Sequence, residues 1–134
     1  MEEPLIGITI GDPCGVGPEI VAKVLSRTDI AQWGRLFTIG DTKILETSLE
    51  LIGSPKRATS IEHPEQAHFD SEVITVLEAP EITVETPILG KNTINAGLVS
   101  HAWVEKAGQL AIEGKVDAIV TAPINKTSWT LAGI

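Results

Sequence analysis

Two short runs of this 134-residue sequence place chemically useful residues close together. The first is Gly11-Asp12-Pro13-Cys14-Gly15-Val16-Gly17-Pro18-Glu19, and the second is Thr121-Ala122-Pro123-Ile124-Asn125-Lys126. In the first, the apolar run Ile8-Thr9-Ile10 stops at a glycine- and proline-rich loop, and a helix pattern follows. Such a turn aims backbone N–H groups and the positive end of a helix dipole at one spot, which suits an anion. Asp12 could receive a ribose or substrate hydroxyl, or simply cap the turn through its own backbone. A purely structural turn, with glycines supplying positive φ, explains Gly11, Gly15 and Gly17 equally well. In the second run Thr121 offers a hydroxyl, and Lys126 offers a positive charge near a helix start. Together they suit a phosphate or carboxylate, against the plain reading of a capped turn with a solvated lysine.

Neither run is a standard nucleotide motif. A Walker A loop ends in Gly-Lys-Ser/Thr, whereas Gly17 is followed by Pro18. The dinucleotide fingerprint needs G-x-G-x-x-G and an acidic residue closing the second strand, and this loop has different spacing. His63, His68 and His101 lack the spacing of a metal site, so solvated or structural roles are expected. Cys14 sits at a helix start, which lowers a thiol pKa, but no histidine partner is near it in sequence. The three tryptophans fit core or interface roles.

The elements that must position these loops follow from periodicity. Leu5 to Ile10 reads as a strand, with a helix from Pro18, capped at Gly17, to about Arg27. Arg35 to Gly40 is a second strand. Asp41 or Thr42 caps a second helix that stops at Gly53. Arg57 to Ile61 fits a strand, Glu72 to Leu77 is another, and Pro80 to Lys91 reads as an extended arm. A long helix runs from about Asn95 to Ile112, where Gly97 and Gly108 allow close packing, and Gly114 ends it. Asp117 to Thr121 is apolar at its centre, which predicts a central strand. Asn125 caps a last short helix stopped by Gly133. Strands joined by helices imply an α/β fold with a mainly parallel sheet in a single segment over 1–134.

A chain 43% hydrophobic and 21% charged is globular rather than disordered. Its net charge of −8 opposes nucleic acid and anionic membrane surfaces. One cysteine excludes an internal disulfide and suits a reducing cytoplasm. The start, Met1-Glu2-Glu3-Pro4, lacks the basic and apolar regions of a signal peptide. No apolar run reaches transmembrane length.

The Gly11–Glu19 run resembles the opening GDPAGIGPE signature of 4-hydroxythreonine-4-phosphate dehydrogenases, with Cys14 where the family has Ala. Asn95-Ala96-Gly97, then Gly114 to Lys126, then Ala132-Gly133-Ile134, resemble that family's second signature. The first block is also similar to the start of isocitrate and isopropylmalate dehydrogenases, whose fold the family shares. The resemblance implies NAD(P)-dependent oxidation, with decarboxylation, of a small phosphorylated hydroxy acid in pyridoxal phosphate biosynthesis. It implies a homodimer and a divalent metal (zinc, magnesium or cobalt) polarising the hydroxyl. The family's metal-binding histidines and its Gly-His-Thr substrate segment lie beyond the position of Ile134. The expectation is therefore the N-terminal portion of a protein more than twice as long. Exposed apolar patches, self-association and no turnover by this portion alone are expected with it.

Within this sequence the expected cofactor-binding or substrate-cleft residues are Gly11, Asp12, Gly15, Gly17, Thr121 and Lys126. No catalytic base is assigned. A sister dehydrogenase acting on 4-phospho-threonate or 4-phospho-erythronate would carry the same two signatures. A stand-alone, non-catalytic binding domain is the reading from a different class.

Overall fold

The computed structural model describes residues 2–79 and 81–134, so Met1 and the Pro80 start of the expected arm lie outside the described residues. Five strands form one sheet: β1 (Leu5–Thr9), β2 (Arg35–Gly40), β3 (Arg57–Ile61), β4 (Val73–Glu78) and β5 (Ala118–Thr121). Their order is β3-β4-β2-β1-β5, and every pairing is parallel. Among the described residues lie four α-helices, α1 (Gly17–Leu25), α2 (Thr42–Leu51), α3 (Ile94–Ile112) and α4 (Lys126–Leu131), and two short 3-10 helices, Ile30–Trp33 and Pro64–Gln66. The expected parallel α/β architecture is therefore observed.

Topology assigns the layers. The β1-α1-β2 and β2-α2-β3 crossovers advance in one direction across the sheet, and β4-α3-β5 returns in the other. Right-handed crossovers then put α1 and α2 on one face and α3 on the opposite face. α1 contacts α2, whereas α3 contacts α4, β1, β2 and β5. Fully buried Ile10, Phe37, Ile39, Leu45, Val76 and Val99 join Trp103 in one continuous core.

Local chemistry explains the ends. Asp41 caps α2 by accepting the Ile44 N–H at 2.9 Å, and Thr93 caps α3 through Ala96 N–H at 3.0 Å. Gly114, at φ +69, closes α3 with Lys115 N–H donating to the Leu110 carbonyl at 2.9 Å. The described part of the arm, 81–91, contains no helix or strand.

Four expectations need correction. Val16, not Gly17, is the cap of α1, and that helix ends at Leu25 rather than Arg27. Gly97 does permit a close approach: a β-carbon there would overlap the Ser128 carbonyl, so α3 and α4 cross at this point. Gly108 has nothing within 4 Å of that position, so it serves no packing role among the described residues. The largest difference is β5. It lies at the sheet edge with all four residues exposed, not in the centre. Apolar composition reports what a strand is built to be covered by, and among the described residues β5 is left exposed despite its contacts with α3.

Candidate functional site at the C-terminal edge of the sheet

β1 and β5 are neighbours, and Thr9 pairs with Thr121 at their C-terminal ends. The two loops that follow are therefore thrown together. The Asp12 N–H donates to the Pro123 carbonyl at 3.0 Å. A β-carbon on Gly11, which sits at φ +79, would lie 2.5 Å from the same oxygen. One on Gly17 would lie 2.5 Å from the Ile10 carbonyl and 3.2 Å from that of Pro123. These two glycines let backbone meet backbone, so their spacing serves the joint between the loops.

Asp12 is buried, and its Oδ1 accepts the Cys14 N–H at 2.9 Å. Its own carbonyl accepts the Gly15 N–H at 3.1 Å. This carboxylate shapes the turn. Gly15, Thr121 and Lys126 are exposed instead. The six expected residues thus divide into a buried set (Gly11, Asp12, Gly17) and an exposed set (Gly15, Thr121, Lys126), and of the exposed three only Gly15 lines the cleft beside the first loop.

Two helix starts adjoin these loops. α1 has no side-chain cap, which leaves first-turn N–H groups to solvent or a ligand. α4 differs: Asn125 Oδ1 accepts Thr127 N–H at 2.9 Å and Ser128 N–H at 3.2 Å. The cap therefore occupies two of the first-turn N–H groups of α4.

The arm ties the loops together, and periodicity alone gave no sign of this. Gly90 N–H donates to the Cys14 carbonyl at 2.8 Å. Asn125 Nδ2 donates to Asn92 Oδ1 at 2.6 Å. Asn95 donates to the Thr83 carbonyl at 2.8 Å and accepts Glu85 N–H at 3.0 Å. The only signal was the resemblance, which includes Asn95. Cys14 is buried, with Sγ 4.0 Å from Thr93 Oγ1, so its thiol lies inside the joint between arm and loop. Between the first loop, α2 and the arm opens a cleft of about 540 Å³ bordered by Gly15, Val16, Lys43 and Thr86.

A second cavity of about 550 Å³ lies at the opposite sheet edge, near Leu25, Lys56 and His68. Lys56 Nζ donates there to the Leu25 carbonyl at the end of α1, and burial pushes its amine pKa down. Size does not separate the two cavities. Open parallel sheets bind ligands at the C-terminal strand ends, which favours the first.

Histidines play other parts. His101 packs edge-on against Trp129 at 4.9 Å, and Trp129 Nε1 donates to Ser100 Oγ at 2.9 Å. Among the described residues no group of three or more His, Cys, Asp or Glu side chains could hold a metal ion. No described helix is long and apolar enough to cross a membrane.

Fold and site define an open parallel α/β protein with two jointed loops on its ligand edge. The chain belongs to the PdxA family: the family model for pyridoxal phosphate biosynthetic protein PdxA matches residues 32–134. It is 38% identical over 130 residues to D-threonate 4-phosphate dehydrogenase of Cupriavidus necator, covering 97% of this chain and 39% of that one. The crystal structure of a 4-hydroxythreonine-4-phosphate dehydrogenase from Burkholderia phymatum superposes with TM-score 0.91 at 34% identity, covering 99% of this chain and 40% of that one. The enzyme of the same name from Klebsiella pneumoniae gives TM-score 0.86 at 34% identity, over 97% and 40%. This chain thus spans about two-fifths of the length of the relatives it matches. The family-model match starts after the Gly11–Glu19 loop, but the matches over 97% and 99% of the chain include it.

Proposed function

We propose that this chain forms one wall of the substrate and cofactor cleft of an NAD(P)-dependent dehydrogenase acting on a small phosphorylated hydroxy acid. The observation that carries the reading is the 3.0 Å hydrogen bond from Asp12 N–H to the Pro123 carbonyl. It joins the two loops at the C-terminal ends of β1 and β5, and Gly15, Thr121 and Lys126 are exposed on those loops. The names of the relatives supply the reaction class.

Each residue has a part in this reading. Lys126 and Thr121 hold an anionic group of the substrate by charge and hydrogen bond. The open first turn of α1 and Gly15 line the cofactor side. Asp12, Gly11 and Gly17 fix the loop and touch no reacting atom. NAD(P), when bound, accepts the hydride. The residues described here do not fit a divalent metal, so no step is drawn through one and no base is assigned in this chain.

Two substrates remain in play. The solved relatives are named for 4-hydroxythreonine-4-phosphate, and the curated relative at 38% identity is named for D-threonate 4-phosphate. A homodimeric, cytoplasmic enzyme of pyridoxal phosphate biosynthesis belongs to the first reading. The test joins this chain to the polypeptide that completes the Cupriavidus necator relative and follows NAD(P)H formation with each acid. Turnover of D-threonate 4-phosphate alone would sink the first substrate, and turnover of neither acid by a folded chimera would sink the reading. The chain by itself should reduce no NAD with either acid, with or without zinc or magnesium.

A further inference from the structure

The cavity of about 550 Å³ at the N-terminal ends of the strands has no part in the dehydrogenase reading. Its walls are largely apolar. Leu25 and Ile74 are buried there, and Ile30, Leu36 and Val73 are half-buried. Phe69 also lines it, with the Arg35 guanidinium 5.8 Å from its ring centre. A concave space of this size and lining is in the range that holds a small molecule.

Into these walls the fold sets one cation that no anion answers. Lys56 lines the cavity and is half-buried. Its Nζ donates to the Leu25 carbonyl, at the negative end of the α1 dipole. An ammonium has three N–H donors, and among the described residues no second acceptor and no carboxylate partner is found for this one. Lys23 and Lys115, by contrast, pair with Glu19 at 2.8 Å and Glu113 at 3.1 Å. Arg27, also on the cavity wall, is engaged by Asp29, which accepts from its Nε at 2.9 Å and its Nη2 at 2.8 Å. Burial lowers the Lys56 pKa, as it does for a charge desolvated without compensation. The residue is also held in place. Ser54 Oγ accepts the Lys56 N–H at 3.2 Å and lies 2.7 Å from Ser26 Oγ, just past the end of α1. The backbone that carries Lys56 is therefore pinned to the helix end that its amine touches.

We propose that this cavity is a second ligand site, taking a small monocarboxylate with an apolar body. The carboxylate takes the free N–H donors of Lys56, and the body lies against Leu25, Leu36 and Ile74. One unanswered positive charge calls for one negative charge on the ligand. Asp70 and Glu72 line the cavity as exposed side chains, together with His68. Their charge opposes a phosphate dianion more than a carboxylate. The polar, phosphorylated hydroxy acids of the dehydrogenase reading are therefore poor ligands here. The proposal stands on the geometry of this edge and is independent of that reading.

The test titrates hexanoate, and its uncharged counterpart hexanamide, into the isotope-labelled chain at about pH 7, where the acid is ionised. Hexanoate should shift the amides of Ser26, Lys56, Phe69 and Val73 and leave Gly15 and Thr121 unmoved. It should bind at least about tenfold more tightly than hexanamide, the scale of one charge-assisted contact. Lys56→Met keeps an unbranched apolar stem, and in it that preference should vanish. Arg27→Gln removes the other wall cation and should keep the preference within about twofold. Excess D-threonate 4-phosphate should not displace hexanoate. Equal affinities of the two probes for the parent chain, or no shift from either at millimolar concentration, would overturn the proposal whatever the variants do. So would a preference that survives Lys56→Met or is lost in Arg27→Gln. Displacement of hexanoate by D-threonate 4-phosphate, or shifts gathered beside the first loop, would overturn it in favour of a single site.

Discussion

Gly11 and Pro123 are in backbone contact across the two loops: a β-carbon on Gly11 would stand 2.5 Å from the Pro123 carbonyl oxygen. The contact lies where β1 and β5 release their chains, and it brings residues more than a hundred positions apart together.

Gly11→Ala should therefore be costly. The position needs φ +79, and the new methyl would meet backbone that cannot swing aside. Strain and clash together should cost about 2–4 kcal/mol. Gly108→Ala is the control, since nothing lies within 4 Å of its β-position in α3. There the helix should gain about 0.5–1 kcal/mol. Urea denaturation of both variants checks the pair of signs.

Asn125 both caps α4 and reaches the arm at Asn92. Asn125→Ala should lower stability by about 1 kcal/mol, in the usual range for a lost cap. The loosening should be local. Trp129 fluorescence should report it, because that ring packs on His101 and bonds Ser100. An unchanged Trp129 signal would mean that α4 stands without its cap.

Thr9 is fully buried at the ligand edge, and its hydroxyl has no hydrogen-bond partner among the described residues. Thr9→Val keeps the shape and removes the unpaired group. Stability should rise by about 1 kcal/mol, the low end of the penalty for a buried unsatisfied hydroxyl. A loss of stability on thermal melting would show that the hydroxyl is satisfied in solution.

Lys56 gives the fold a pH dependence of definite sign. Burial holds its pKa below the usual 10.5, so the folded chain binds this proton less tightly than the unfolded chain. The fold is penalised while the amine is charged. Between the lowered folded value and 10.5 the unfolded state keeps a proton that the native state has released, and stability rises with pH. Thermal melts across that window should show the parent gaining on Lys56→Met. Parallel curves would contradict the depressed amine.

Much of this molecule is legible in its sequence, for identifiable reasons. The parallel βα order follows from local periodicity and from caps such as Asp41, Thr93 and Asn125, which act on neighbouring N–H groups. The two loops stand out through glycine and proline. Their joint does not, because the Asp12–Pro123 bond is a backbone contact that leaves no side-chain signature. Asp12 reads in sequence either as a ligand residue or as a turn cap, and its Oδ1 accepts the Cys14 N–H within the turn. The edge position of β5 was equally hidden. Its Ile119-Val120 core states what the strand is made to pack against, not what this chain supplies. The arm escaped periodicity since it follows none, and Asn92 and Asn95 anchor it through polar contacts set by tertiary structure.

In the proposed function the joined loops form a binding wall, with Lys126 and Thr121 on the anion side. Amide chemical shifts of the labelled chain, titrated with D-threonate 4-phosphate and with 4-phosphooxy-L-threonine, test it most directly. Shifts gathered at Gly15, Val16, Thr121 and Lys126 are expected. Lys126→Ala should bind about tenfold more weakly, through the loss of one charge-assisted contact. Shifts gathered instead around Lys56 and His68 at the opposite edge, or an affinity indifferent to Lys126→Ala, would contradict it.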